Sequence, residues 1–176
     1  IMLATGVKFN IPPIDGINTS KNCHFADHVL AEDVPIGERI AVIGGAATGV
    51  DTAIWIANRG RLDPEVASFL SCYDALTADA VMPLTSNGKR TVYLIDSVPE
   101  IGTSIGKSTR WVYLSELKKL GVNGITNAKI NKIASDGIEF SVSDEVKRLD
   151  LDAVVLATGV LSNTDMYEKS QNAVGE

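Results

Sequence analysis

The sequence is short of cysteine, of aromatic residues and of long apolar runs, and each shortage closes off a class of protein. Only Cys23 and Cys72 occur in 176 residues, about fifty positions apart, with no CxxC and no metal-ligand spacing. A disulfide-stapled scaffold is therefore excluded, and both thiols read as reduced, core-type residues. Cys23, His24 and His28 lie near one another, but without a further ligand at workable spacing no metal is expected. No apolar run approaches the roughly 20 residues that span a bilayer, and no charged segment precedes an apolar stretch at the start, so the reading is a cytoplasmic chain without a membrane partner. Basic residues are too few and too scattered for a polyanion: 16 Lys and Arg against 22 Asp and Glu give a net charge of −6. Nucleic acid would be repelled.

What is present is ordinary globular material, 45% apolar and 22% charged, enough for a buried core. Short apolar strands alternate with amphipathic helices. Arg39–Ile43 reads as a strand, followed by Gly44-Gly45 and a helix over about 49–58 that carries Val50, Ala53, Ile54 and Ala57 on one face. A second strand, Thr91–Ile95, ends on Asp96, and a glycine-bearing loop leads to a helix capped near Ser108 that runs to Lys119 and stops at Gly121. Segments 129–134, 138–142 and 146–149, separated by polar turns, read as a β-meander, and 153–157 as a closing apolar strand. The expectation is an α/β fold: a Rossmann-like three-layer domain with a central parallel sheet and a β-meander crossover. Residues 61–90 do not fit this alternation, being far longer than the usual connection of about two to six residues. They read as an insertion, with 64–76 partly helical.

Strand, glycine turn, helix is the setting of a dinucleotide fingerprint, here Gly44-Gly45-Ala46-Ala47-Thr48-Gly49. Gly44 would make the tight turn and Gly49 the close helix packing, while free N–H groups at the helix start would meet a diphosphate. Ala46 sets a methyl group where the pattern has its second glycine. Asp96, at the end of the next strand, would accept hydrogen bonds from the adenosine ribose and repel an added phosphate, favouring NAD(H) over NADP(H). Asp51 is placed in the first turn of the helix, either serving the helix dipole or meeting the nicotinamide end.

The pentapeptide Leu-Ala-Thr-Gly-Val occurs twice, at Leu3 to Val7 and at Leu156 to Val160. Together with Ile14-Asp15-Gly16-Ile17, Val42-Ile43-Gly44-Gly45, Gly49-Val50-Asp51-Thr52-Ala53, Gly106-Lys107-Ser108-Thr109-Arg110-Trp111 and Ala157-Thr158-Gly159 with Asn163, it makes the chain resemble the 2,4-dienoyl-CoA reductase and NADH:flavin oxidoreductase family. The resemblance implies a nicotinamide domain inserted into an FAD domain, with the two Ala-Thr-Gly crossings as exit and return. On that basis 1–20 belong to the crossover from the FAD domain, 21–158 to the NAD(P)-binding domain and 159–176 to the return, and residues 1–16 and 159–176 are expected to be loosely held or re-paired. It also implies FAD, FMN, an iron–sulfur cluster and a barrel domain in the full-length enzyme, with this chain alone inactive and no catalytic residue within it. Ala157, Thr158 and Gly159 join the expected cofactor contacts. Ala46 and Thr48 depart from the family pattern, as does Asp96, where NADPH-using relatives tend to carry an arginine. The alternative is a structural module that holds ADP in a flavoprotein whose electrons enter elsewhere.

Overall fold

A computed structural model describes residues 2–32, 34–86 and 90–174; positions 1, 33, 87–89, 175 and 176 of the segments named above lie outside it. Five strands form one parallel sheet: β2 (Cys23–Phe25), β9 (Ala153–Leu156), β3 (Arg39–Ile43), β4 (Thr91–Ile95) and β5 (Asn123–Ile125), in that spatial order. The central strands are apolar throughout because both faces are covered. Ile40 and Val42 point to one cluster with Val50, Ala53, Ile56 and Leu117, from the helices α2 (Ala47–Asn58) and α5 (Lys107–Lys119). Ala41 and Ile43 point the opposite way, to Ile133, Ile138 and Phe140 of an antiparallel meander, β6 (Ala128–Ala134), β7 (Gly137–Val142) and β8 (Glu145–Asp150). Helices, sheet and meander make the three layers.

The strand pattern holds to within a residue or so, whereas several details differ. α2 starts at Ala47, two residues earlier than the apolar spacing suggests, because Ala46 already has extended backbone and its carbonyl accepts from the Val50 N–H at 3.0 Å. Gly106, not Ser108, caps α5, since its carbonyl takes the Thr109 and Arg110 N–H groups, each at 3.0 Å. Gly121, with φ +72°, follows the end of that helix, as a residue free of Cβ can.

Residues 61–90 loop out without disturbing the sheet: β3 and β4 pair in unbroken register from Arg39 opposite Thr91 to Ile43 opposite Ile95. The insertion holds two helices, α3 (Pro64–Cys72) and α4 (Ala78–Ser86). Asp63 caps α3 by accepting the Glu65 N–H at 2.8 Å, with Pro64 at the first helical position. Cys72 is exposed at the end of α3, against its reading as a core thiol, because this helix pair buries little. Cys23 on β2 is half-buried, and desolvation pushes its thiol up to about 11.

The end segments pair with each other. β1 (Val7–Phe9) runs antiparallel to β10 (Val160–Ser162), ahead of α6 (Asp165–Val174). Phe9 stacks on Phe25 with centroids 4.2 Å apart, and His28 of α1 (Ala26–Ala31) meets both rings edge-on, which ties this ribbon to the sheet's edge. Among the described residues no helix is long and apolar enough to cross a membrane, and no cluster of three or more His, Cys, Asp or Glu could hold a metal.

Candidate functional site

The carboxyl ends of β3, β4 and β9 open into one cleft of about 430 Å³. In parallel sheets this is where neighbouring strands send their connections in opposite directions and leave a crevice. Here β3 sits between β4 and β9, so the crevice lies over the residues that follow β3. The backbone there is fully tied: Gly44 N–H donates to Ile95 O and Ala157 N–H to Ile43 O, each at 2.8 Å.

Gly44 turns the chain at φ +110°, and a Cβ on it would stand 2.4 Å from the Ala157 carbonyl oxygen. At Gly49 a Cβ would stand 1.7 Å from the Gly44 carbonyl oxygen. Both positions therefore require glycine, and that is what lets α2 begin directly against the strand end. Ala46, Ala47 and Thr48 are exposed at that start. Ser104 Oγ accepts the Ala47 N–H at 2.9 Å. The loop that carries Ser104 is strapped over the turn, Gly102 N–H donating to Gly45 O at 2.7 Å and Arg110 Nη2 to Ile101 O at 2.7 Å.

Asp96 sits at the end of β4, and its carboxylate faces the turn. Oδ2 accepts the N–H of Gly45, while Oδ1 accepts Val98 N–H at 3.2 Å and Ser97 Oγ–H at 3.4 Å. A carboxylate has about four acceptor positions, so room remains for one more donor. The sequence suggested a ribose ligand; what the structure shows is a strut that holds the glycine turn.

Of the expected site residues, Gly44, Ala46, Asp96, Ala157, Thr158 and Gly159 line the cleft. Gly45 is buried beneath the turn, and Ala47, Thr48 and Gly49 form the first turn of α2 behind it. Asp51 does not reach the cleft, and it lies outside the first turn, because α2 starts at Ala47. Thr158 is fixed by Asn10: Thr158 Oγ1 donates to Asn10 O at 2.7 Å, and Asn10 Nδ2 to Thr158 O at 3.0 Å. Sequence reasoning missed Asn10, Ser97, Ser104 and Lys129. Lys129 and Ile130 enter the cleft because Ala128 N–H bonds to Asp96 O at 2.9 Å, which no local pattern announces.

Fold and cleft together define a Rossmann-like α/β domain, with a glycine turn, an exposed helix start and a strand-end acid around one crevice. The chain belongs to the pyridine nucleotide-disulphide oxidoreductase family, whose model matches residues 1–176. Members of this family are flavin-dependent oxidoreductases that use a pyridine nucleotide. It is 32% identical over 177 residues to a metal reductase from Desulforamulus reducens, covering 99% of this chain and 26% of that protein. A cinnamate reductase from Clostridium sporogenes is 22% identical over 169 residues, covering 96% of this chain and 21% of that protein. The chain thus spans about a quarter of the length of the curated relatives it matches. A solved 2-naphthoyl-CoA reductase superposes with a TM-score of 0.72 at 22% identity, over 94% of this chain and 21% of that one, which establishes the shared fold.

Proposed function

We propose that this chain binds NADH across the carboxyl ends of β3, β4 and β9 and presents its nicotinamide to a flavin held elsewhere in the parent enzyme. The observation that carries this is the pair of positions where no Cβ fits, Gly44 and Gly49, at a turn beside a cleft that Gly44, Asp96 and Thr158 line. These two glycines make the tight turn and the close helix packing of a dinucleotide fingerprint, which sets a helix start, where a diphosphate binds, beside the cleft.

In this reading the first-turn N–H groups of α2 hold the pyrophosphate, and Ser104, which already caps Ala47, offers its hydroxyl proton to the same oxygens. Asp96 uses its remaining acceptor position for an adenosine ribose hydroxyl, and its charge sets a preference for NADH over NADPH. Ala157, Thr158 and Gly159 face the nicotinamide end. The nicotinamide, when bound, supplies the hydride, so no side chain in this chain needs to act as acid, base or nucleophile. FAD, FMN and an iron–sulfur cluster belong to other domains of the parent, as does the final acceptor, for which a conjugated enoate or dienoyl thioester of the 2,4-dienoyl-CoA reductase type fits the names of several relatives.

One observation favours a second reading, a module that holds ADP for structure alone: the Ala46 methyl lies in the cleft wall where a glycine would let the phosphates closer. Parallel calorimetric titrations of the chain with NADH, NADPH and ADP separate the two. Tightest binding of NADH supports the proposal; binding of ADP with no gain from the nicotinamide half supports the structural module.

A further inference from the structure

Lys129 is the sole cationic residue that lines the cleft among the described residues. It stands second in β6, directly after Ala128, whose N–H is bonded to the Asp96 carbonyl at 2.9 Å. The lysine backbone is therefore tied beside the end of β4. Other lysines of the meander are differently engaged: Lys132 lies 3.7 Å from Asp15 and Lys147 lies 3.5 Å from Glu145. Lys129 has no ion-pair partner among the described residues and is exposed at the mouth of the cleft.

A bare carboxylate at the end of β4 would exclude a phosphate from the adjoining ribose by like-charge repulsion. This carboxylate is not bare, since Gly45 N–H, Val98 N–H and the Ser97 hydroxyl all donate to it and disperse its charge. Lys129 lines the same cleft, and its side chain is an ammonium with three donors on a flexible four-carbon stem, the complement of a phosphate monoester. We infer that Lys129 is a specificity-determining residue, whose ammonium receives a phosphate ester at the 2′ position of the adenosine. The site then admits NADPH as well as NADH, and Lys129 narrows the preference that Asp96 sets. This rests on the reading of the cleft as a dinucleotide site.

The test is equilibrium titration of the 176-residue chain with NADH and NADPH, which differ only in that phosphate, repeated on Lys129→Met, Lys129→Arg and Lys132→Met. Loss of one charge-assisted contact predicts that Lys129→Met weakens NADPH about tenfold and leaves NADH within about twofold. Lys129→Arg keeps NADPH binding, and Lys132→Met, outside the cleft, changes neither. NADPH binding to the unsubstituted chain falls more steeply with salt than NADH binding, and Lys129→Met removes that difference. Equal losses for both nucleotides, or no loss for either, overturn the role of Lys129 while the cleft reading stands. Binding of neither nucleotide by the unsubstituted chain overturns both.

Discussion

Residues 39–60 and residues 61–90 are neighbours in the chain and follow opposite rules. In the first stretch the inward-facing positions have one permitted environment: Ala41, Val42, Val50, Ala53 and Ile56 are fully buried, and Gly44 and Gly49 stand where a side chain would strike backbone. In the second, Ala67 and Val81 are the buried apolar residues among those described, while Val66, Phe69, Tyr73 and Met82 lie exposed. The insertion adds surface and not core. Its length leaves the register of β3 on β4 unbroken, because the two-sided burial of those strands fixes their pairing and a longer loop adds only a slowly growing closure entropy.

The sharpest way to probe this contrast is to place a side chain at a buried glycine of the first stretch and at the exposed glycine that borders the insertion. Gly49→Val drives a Cβ into the Gly44 carbonyl, so we expect a loss of at least about 3 kcal/mol or failure to fold cooperatively, read by thermal denaturation. Gly60→Ala, at φ +84° with nothing within 4 Å, meets only backbone strain and should cost about 1 kcal/mol.

Next in size is Asp96→Ala, which strands the Gly45 and Val98 N–H groups. A cost of about 1–3 kcal/mol is expected, together with weaker NADH binding and loss of its preference over NADPH. A substitution that changed only the NADH-to-NADPH ratio, with stability intact, would remove the strut from the account.

Asp152 anchors the start of β3 as the glycines anchor its end. It accepts the N–H groups of Arg39 at 2.8 Å and Glu38 at 3.0 Å and pairs with the Arg39 guanidinium, and these hold its carboxyl down at about 2. A depressed folded value contributes stability that is complete above the ordinary carboxylate range near 4 and is lost as the pH falls towards 2. Asp152→Asn should flatten that part of the pH–stability curve by at most about 1 kcal/mol, since the pair is solvent-screened. Smallest of all, Phe69→Ser on α3 should shift stability by less than about 0.5 kcal/mol, although Phe69 packs on Tyr73 at 4.5 Å between centroids.

The sequence carries the central elements because their periodicities are imposed by burial on both faces, as Ile40 and Val42 against Ala41 and Ile43 illustrate. The edge strands β2 and β5 are three residues each, too short for any alternation to register. The ribbon of β1 and β10 joins positions more than 150 apart through backbone pairing of exposed residues, which composition does not encode. The site follows the same division. Gly44, Gly49 and Asp96 are legible because each belongs to a strand end or the turn that follows it, whereas Asn10 and Lys129 reach the cleft, and Ser104 the start of α2, only through tertiary contacts.

The central claim, that the nucleotide lies across the ends of β3, β4 and β9, is tested most directly by backbone amide chemical shifts of the chain with and without NADH. The account predicts saturable shifts confined to Gly44 to Gly49, Asp96 to Val98, Ser104, Lys129 and Thr158. Shifts centred on α3 and α4 with the glycine turn unmoved would contradict it.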